Sequence, residues 1–291
     1  MRRSDDPDRP DYRPDYRPKP VDAPAAARER VAIADYRDGI WRAADDTLAV
    51  ERALEIHVAG AEPLITMRTP GHDRELAAGL LHGEGVVRSA ADIVYLRHSA
   101  DEPDVIRAML KPEARARLDR IERNTLATSA CGVCGKPSFR APRPARAVSR
   151  GVDGLRVDPD WLLGLPERMR VAQDVFESTG GLHAAAIFRA GGDLVALRED
   201  VGRHNALDKL IGRALLDARL PLSEHVLMLS GRASFELMQK AGAAGIPVVC
   251  AISAPSSFAV EIARRFSTTL VGFLRGERFN CYSGAQRLGR A

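Results

Sequence analysis

The residues best suited to chemistry in this sequence are two cysteines in a glycine-rich segment. Residues 128–137 contain Cys131 and Cys134, each followed by glycine, and then Lys136 and a closing proline. Glycine leaves little bulk around the sulfur atoms and favours an exposed, irregular loop. Backbone N–H groups and Lys136 could stabilise a thiolate, which is the nucleophilic form of cysteine. The segment therefore predicts sulfur chemistry on an exposed loop.

Four interpretations of this spacing compete. Half of a structural zinc site is one, although closed zinc sites need four ligands and the other cysteines are Cys250, in an apolar stretch, and Cys281, near the chain end. A thioredoxin-like dithiol is the second, although this segment does not open a convincing helix. The third is a flexible loop with incidental thiols. The fourth is a persulfide relay, in which a mobile loop takes sulfur from a donor to an acceptor.

Composition limits the class of protein. The chain has 291 residues, of which 45% are hydrophobic and 28% charged, enough for one large or two smaller domains. The net charge of +4 and the 5% aromatic content do not favour a nucleic-acid partner. No apolar run approaches the ~20 residues of a membrane span, and the Asp-rich start is unlike a transit peptide. We expect no membrane partner and a cytoplasmic location with reduced cysteines.

The first 156 residues divide into a tail and a small domain. Residues 1–30 are rich in Pro, Arg and Asp, contain Asp-Tyr-Arg-Pro twice, and are predicted to be disordered. Residues 31–156 are predicted to form an α+β domain that carries the cysteine loop and a basic linker. Strands are expected within residues 33–67 and at 93–96 and 105–110. A helix is expected to begin at Thr69 and Pro70 and to end near residues 83–85.

Residues 157–291 alternate apolar strands with amphipathic helices. Strands are predicted at 182–189, 193–197, 225–229 and 247–252, with a final strand at 269–274. Helices are predicted at 234–244 and 257–266, and a further one is expected to be capped by Asp200. The apolar face of that helix consists of Leu207, Leu210, Ile211, Ala214 and Leu215. The predicted class is α/β: a three-layer C-terminal domain with a smaller N-terminal α+β domain.

Five segments in one order give the sequence a family resemblance. They are residues 130–136, 178–183, 199–209, 230–232 and 272–275. Together they resemble the formate dehydrogenase accessory sulfurtransferase family, FdhD, over about residues 33–283. The run Glu-Asp-Val-Gly-Arg-His-Asn-Ala-Leu-Asp-Lys at 199–209 is far more specific than the cysteine pair. The resemblance implies a cytidine-deaminase-like fold for the C-terminal domain, although the zinc-deaminase motif is absent.

The resemblance also implies a function and partners. Such a protein accepts persulfide sulfur from a cysteine desulfurase and transfers it to the molybdenum of bis-molybdopterin guanine dinucleotide, a cofactor of formate dehydrogenase. Cys131 would hold the persulfide, Cys134 would assist, and the cofactor would be bound as cargo. The expected partners are the desulfurase, apo formate dehydrogenase and a second copy of the chain. A non-catalytic cofactor-binding chaperone, with a structural or zinc-binding cysteine pair, is the alternative.

Two serine-rich loops are candidate phosphate sites. Open α/β sheets bind such ligands beyond the carboxyl ends of their strands, next to helix N-termini. Ser230, Gly231 and Arg232 follow one predicted strand, and residues 253–257 follow the next. Hydroxyl groups and the Arg232 guanidinium suit phosphate. Ordinary helix capping would explain one serine in each loop.

The remaining candidates surround the same predicted edge. The segment expected after the last strand consists of Phe273, Leu274, Arg275, Gly276, Glu277 and Arg278. By the resemblance it would contact the cofactor: its arginines suit phosphate or guanine, and its glutamate suits the guanine N1–H and N2–H₂ edge. A solvated charged turn is the alternative. His204 should share a helix face with Ile211, pointing inward to a pterin or to a buried polar partner. We predict no metal ligands.

Overall fold

The computed structural model describes residues 27–125 and 155–289. The cysteine loop, with Cys131 and Cys134, lies outside the described residues, as do the first 26 residues and most of the basic linker. Within the described ranges the chain forms a two-stranded ribbon, a four-stranded sheet and a six-stranded sheet.

The two-stranded ribbon consists of β1 (Arg28–Arg37) and β2 (Ile40–Ala49), paired antiparallel. Asp38 and Gly39 join them with φ of 52° and 79°, the positive values that a tight hairpin turn requires. The expectation of disorder was wrong for residues 28–30, which belong to β1. The Arg28 guanidinium donates to Asp174 Oδ2 at 2.7 Å and Ser178 Oγ at 2.8 Å, contacts that composition alone does not predict.

The four-stranded sheet has the order β4–β3–β6–β5, in which β3 and β6 are parallel and the outer pairs antiparallel. Its strands are β3 (Arg52–Val58), β4 (Leu64–Arg68), β5 (Ile93–His98) and β6 (Val105–Leu110). The same half contains two helices: α1 (Asp73–Gly83) lies between β4 and β5, and α2 (Pro112–Thr125) follows β6. Alternate residues Leu54, Ile56 and Val58 are buried with apolar residues of both helices. The four strands were predicted, whereas α2 was not.

Helix α1 begins four residues later than its predicted start at Thr69. Gly71 and His72 have φ of 106° and 57°, so the chain is not helical there. Thr69 Oγ1 instead accepts the Val201 N–H at 3.1 Å. A Thr-Pro pair resembles a helix start in sequence, but here the threonine binds a distant segment.

The six-stranded sheet has the order β12–β11–β10–β9–β7–β8, with β9, β10 and β11 parallel. Its strands are β7 (His183–Arg189), β8 (Leu194–Asp200), β9 (His225–Leu229), β10 (Val248–Ala251), β11 (Thr269–Arg275) and β12 (Arg278–Ser283). The helices of this half are α3 (Pro159–Leu163), α4 (Leu165–Val171), α5 (Asp174–Thr179), α6 (Arg203–Leu216), α7 (Phe235–Ala243) and α8 (Ser257–Arg265). The predicted mixed α/β class is confirmed.

Helices cover both faces of this sheet. Leu227 and Leu229 of β9 are buried with residues of α6, α7 and α8. Val226 and Met228 of the same strand are buried with residues of α3 and α4. Because successive side chains of a strand point to opposite faces, these two sets define a sheet between two helical layers.

Two expectations for this half were wrong, and three helices were not predicted. β12 follows β11, so residues 269–274 are not the final strand. Asp200 does not cap α6: the cap is Gly202, and α6 begins at Arg203. Helices α3, α4 and α5 were not predicted, because each spans only five to seven residues and shows little helical periodicity.

Helices α1 and α6 cross at a pair of glycines. A Cβ added to Gly79 would overlap the Asp208 carbonyl oxygen, and one added to Gly212 would overlap the Glu75 carbonyl oxygen. Only glycine permits so close an approach of two helix backbones. This α1–α6 junction fixes the four-stranded sheet to the six-stranded sheet. The predicted division at residues 156 and 157 stays a prediction.

Candidate functional site

The candidate site follows from the directions of the strands. β9, β10 and β11 are parallel, and β8 runs the same way because β7 is antiparallel to both β8 and β9. Four strands therefore end at one edge of the sheet, which we call the carboxyl edge. The residues that follow them are 201–204, 230–234, 252–256 and 276–277.

Backbone hydrogen bonds join these segments into a row. Ser256 N donates to Ala233 O at 3.0 Å, and Phe273 N donates to Ser253 O at 3.2 Å. The two serine-rich loops and the start of residues 273–278 are therefore neighbours, an adjacency that sequence order alone does not give.

The three residues of the loop at 230–232 differ in their surroundings. Ser230 Oγ accepts the Ala184 N–H at 2.8 Å. A Cβ on Gly231 would lie 3.4 Å from the His183 ring, so the glycine gives the imidazole room. Arg232 is exposed. Neither of the first two is a helix cap, since α7 is capped by Ser234.

Residues 273–278 form a hairpin between β11 and β12 and not a loop after the last strand. Phe273 has φ of 53° at a bulge in the β11–β12 pairing, and Gly276 has φ of 58° in the turn. Leu274 is 0% exposed and belongs to the core, which removes its side chain from a surface site. Arg275, Glu277 and Arg278 are exposed. The three charged residues of the hairpin are thus presented to solvent.

His204 lies between the first turns of α6 and α7. Its Nε2 is 3.0 Å from Glu236 Oε2 and 3.3 Å from Ser234 Oγ, and its side chain is 28% exposed. His204 therefore sits at the carboxyl edge with an acidic partner, more exposed than Ile211, which is fully buried.

Asp200 and Lys209 form a buried ion pair that the sequence did not predict. Lys209 Nζ is 2.6 Å from Asp200 Oδ2 and donates to Thr69 O at 2.8 Å. Asp200 accepts the N–H groups of Thr69 and Gly202 at 3.2 and 2.9 Å. Asp200 and Lys209 therefore join β8 and α6 to Thr69, which lies four residues before the start of α1.

Glu199 points to the other face of the sheet and holds α5. Its carboxylate accepts the Val175 N–H at 3.0 Å and the Phe176 N–H at 2.8 Å. Burial raises the pKa of Glu199, which these two hydrogen bonds oppose. The adjacent acids Glu199 and Asp200 thus anchor different elements, because strand residues alternate between faces.

A pocket of about 410 Å³ opens between α4, α5 and the carboxyl edge. Its polar lining includes Arg170, Gln173, His183 and Ser230. Burial, together with the nearby Arg203 guanidinium, lowers the pKa of His183. Sequence reasoning singled out Ser230 but assigned no role to the other three. The run Gly-Gly-Leu-His at 180–183 was the available signal, since the pocket is lined by all four residues.

The two described cysteines are poor nucleophiles. Cys250 is fully buried, and burial raises its pKa. Cys281 is exposed and donates its S–H to Ser283 O at 3.2 Å, while partial burial raises its pKa. Residues 27–125 and 155–289 contain no group of three or more His, Cys, Asp or Glu that could hold a metal ion. In the same residues no helix is both long and apolar enough to cross a membrane.

The sheets and helices define an α/β protein with an open six-stranded sheet. The chain belongs to the FdhD/NarQ family, whose family model matches residues 49–289. The sulfur carrier protein FdhD of Streptomyces coelicolor is 50% identical over 268 residues, which cover 89% of this chain and 95% of that protein. The sulfur carrier protein FdhD of Sulfurisphaera tokodaii is 39% identical over 263 residues, which cover 89% and 98%.

A solved structure shares the fold. It is described as a formate dehydrogenase accessory protein from Desulfotalea psychrophila, and it matches with a TM-score of 0.69 at 20% identity. The match covers 90% of this chain and 100% of that one. The expected family resemblance is therefore confirmed.

Proposed function

We propose that this protein is a sulfur carrier that serves formate dehydrogenase. It accepts persulfide sulfur from a cysteine desulfurase and transfers it to the molybdenum of bis-molybdopterin guanine dinucleotide, which it binds as cargo. The observation that carries this proposal is the 50% identity, over 89% of the chain, with a protein named sulfur carrier protein FdhD. The sulfurtransferase acts in the cytoplasm, and apo formate dehydrogenase is the partner that receives the cofactor.

The cysteine loop is the proposed sulfur site. Cys131 and Cys134 are each followed by glycine, a residue that adds no side-chain bulk beside a cysteine. Cys250 is buried, and the pKa of the Cys281 thiol is raised, which disfavours the nucleophilic thiolate at both positions. Cys131 carries the sulfur as a persulfide, and Cys134 assists its transfer.

The carboxyl edge is the proposed cofactor site, in a C-terminal domain of cytidine-deaminase-like fold at residues 157–291. Dinucleotide phosphates are anionic, and they favour helix N-termini and arginine side chains. Helices α6, α7 and α8 begin at this edge, and Arg232, Arg275 and Arg278 are exposed there. His204, Ser230 and Gly231 complete the proposed contacts.

Mass spectrometry tests the sulfur site. After incubation with a cysteine desulfurase and cysteine, Cys131 should gain the mass of one sulfur atom, and a Cys250→Ala variant should be labelled like the wild type. Equal labelling of a Cys131→Ala variant would contradict the assignment. Full dehydrogenase activity in cells that rely on Cys131→Ala would favour a non-catalytic chaperone instead.

A further inference from the structure

One side of the four-stranded sheet stays exposed in the part of the chain that the structure describes. Leu54, Ile56 and Val58 of β3 point towards α1 and α2, so the alternate residues of β3 and their cross-strand partners point away from both helices. We call this second side the outer face. Its members include Ile65, Met67, Tyr95, Arg97, Arg107 and Met109.

The outer face is more apolar than a solvated sheet face usually is. Ile65 and Met67 of β4 are 67% and 49% exposed, and Met109 of β6 is 39% exposed. None of the three belongs to a hydrophobic cluster of the described residues. Exposed apolar side chains grouped in a patch are typical of protein–protein contacts, and methionine adapts to surfaces of different shape. The outer face is therefore suited to a protein partner.

A pair of arginines gives this face a positive charge. Arg97 of β5 and Arg107 of β6 are directly opposite each other, and like charges in this arrangement destabilise a sheet. Arg107 lies 3.2 Å from Glu102. Arg97 lies 4.9 Å from the centroid of the Tyr95 ring and forms no ion pair with a described residue. A carboxylate supplied by a partner would offset the repulsion, so the complementary surface is acidic.

The width of the outer face suits one helix. Neighbouring strands are ~4.8 Å apart, so the edge strands β4 and β5 are separated by about 14 Å. An α-helix with its side chains is ~10–12 Å in diameter. A helix on this face would contact Ile65 at one edge and Tyr95 at the other, with its acidic residues beside Arg97.

We propose that the outer face docks the cysteine desulfurase, through an amphipathic segment in which carboxylates flank apolar side chains. The inference rests on the proposed function, which requires such a donor, and it names the surface that the donor meets. In sequence, Cys131 is much closer to α2, which ends at Thr125, than to Leu155, where the described chain resumes. The proposed sulfur site is thus tethered to the half that carries the outer face, whereas the proposed cofactor contacts lie at the carboxyl edge of the other half. This division favours the sulfur donor over the acceptor as the occupant.

Surface plasmon resonance on the full chain tests the charged part of this surface, with the immobilised cysteine desulfurase as the probe. Arg97→Glu should slow association about tenfold at low salt, because charges at the rim of an interface act mainly on the association rate. High salt should reduce the difference between this variant and the wild type. Arg265→Glu is the matched control, since Arg265 is exposed in the last turn of α8, on the other half of the molecule.

The apolar part of the surface is tested in the same way. Ile65→Asp should weaken the complex about tenfold, because it places a carboxylate in an apolar contact. Val171→Asp is the control, since Val171 is 77% exposed on α4. All four substituted side chains are exposed, so the melting temperature of each variant should stay close to that of the wild type.

Each outcome decides the inference. Weaker desulfurase binding by Arg97→Glu and Ile65→Asp, with both controls unchanged, supports the outer face. Wild-type binding by both variants overturns it, and the proposed function stands if Cys131 still gains sulfur. If the two variants instead weaken only the binding of apo formate dehydrogenase, or change only the oligomeric state measured by light scattering, the face belongs to the acceptor or to a second copy and the inference is overturned. If the wild-type chain neither binds the desulfurase nor gains sulfur, the inference and the proposed function both fail.

Discussion

The α1–α6 junction and the β11–β12 hairpin both contain charged residues, but those at the junction are buried and those at the hairpin are exposed. At the junction, Asp200 and Lys209 are 0% and 1% exposed and make several hydrogen bonds. At the hairpin, Arg275 and Arg278 are exposed, and neither forms an ion pair with a carboxylate of the described residues. Charged residues in a specific sequence run can thus be structural, whereas those of a short turn remain available to a ligand.

The glycine crossing should give the largest effect. Gly212→Ala places a methyl group on the Glu75 carbonyl, and because backbone must move to relieve the overlap, we expect a loss of more than about 4 kcal/mol of stability. Chemical denaturation measures this loss. Gly164→Ala is the control: its added Cβ would meet nothing closer than 3.6 Å. Equal stability of both variants would show that the crossing is looser than described.

The buried ion pair should come next. Lys209→Met leaves the Asp200 carboxylate buried without its cation, which should cost about 3–5 kcal/mol. The matched control is Arg30→Ala, which breaks the exposed pair with Asp45 and should cost at most about 1 kcal/mol. A similar small cost for both, measured by denaturation, would mean that the junction does not depend on this charge.

Hairpin substitutions should change binding and leave stability intact. Arg275→Ala or Arg278→Ala should weaken GDP by about 1.5–3 kcal/mol if each loses a hydrogen bond to phosphate, with no change in melting temperature. Calorimetry at low salt measures this, because salt screens exposed charges. Unchanged affinity in both variants would remove the hairpin from the site.

Glu277→Gln tests the proposed guanine contact of the hairpin. If Glu277 pairs with the guanine N1–H and N2–H₂ edge, the substitution should erode the preference for GDP over ADP, because a hydrogen bond to a charged group contributes about 1.5–3 kcal/mol. Competition calorimetry measures this preference, and an unchanged preference would remove Glu277 from the guanine contact.

The last prediction concerns the pH dependence of stability and His72, which lies at the junction. Burial, with Arg198, Lys209 and Arg213 nearby and Asp73 opposing them, lowers the pKa of His72 to about 3. Between about pH 6.5 and 3, the His72 imidazole therefore binds a proton in the unfolded chain but stays neutral in the folded chain. The free energy of unfolding consequently decreases as the pH falls through this range, by up to about 1.4 kcal/mol per pH unit.

Melting curves between pH 7 and 5 test this slope. His72→Asn should flatten part of it, and asparagine tolerates the φ of 57° at this position. Burial also lowers the pKa values of His183 and His225. These two histidines should account for the slope that remains in the variant. An unchanged slope in the variant would exclude His72 as its source.

The sequence by itself determined the class and most of the elements. Period-two alternation marked Leu54, Ile56 and Val58, and an apolar run marked β10, because burial against a core constrains residue type locally. The apolar face of α6 was read from its helical spacing, and all five of its predicted residues are buried. The sequence also carried the family signature, through motifs that no single element explains.

Only the tertiary structure decided which polar residues face a site. Asp200 looked like a helix cap and Thr69 like a helix start, but they bond to each other's segments, 131 residues apart in the chain. Leu274 looked like part of a surface loop and is in the core. The pocket on α4 and α5 depends on two short helices, of which α5 is held in place by Glu199 and Arg28. Such contacts join residues distant in sequence, and local pattern does not record which partner a polar side chain will meet.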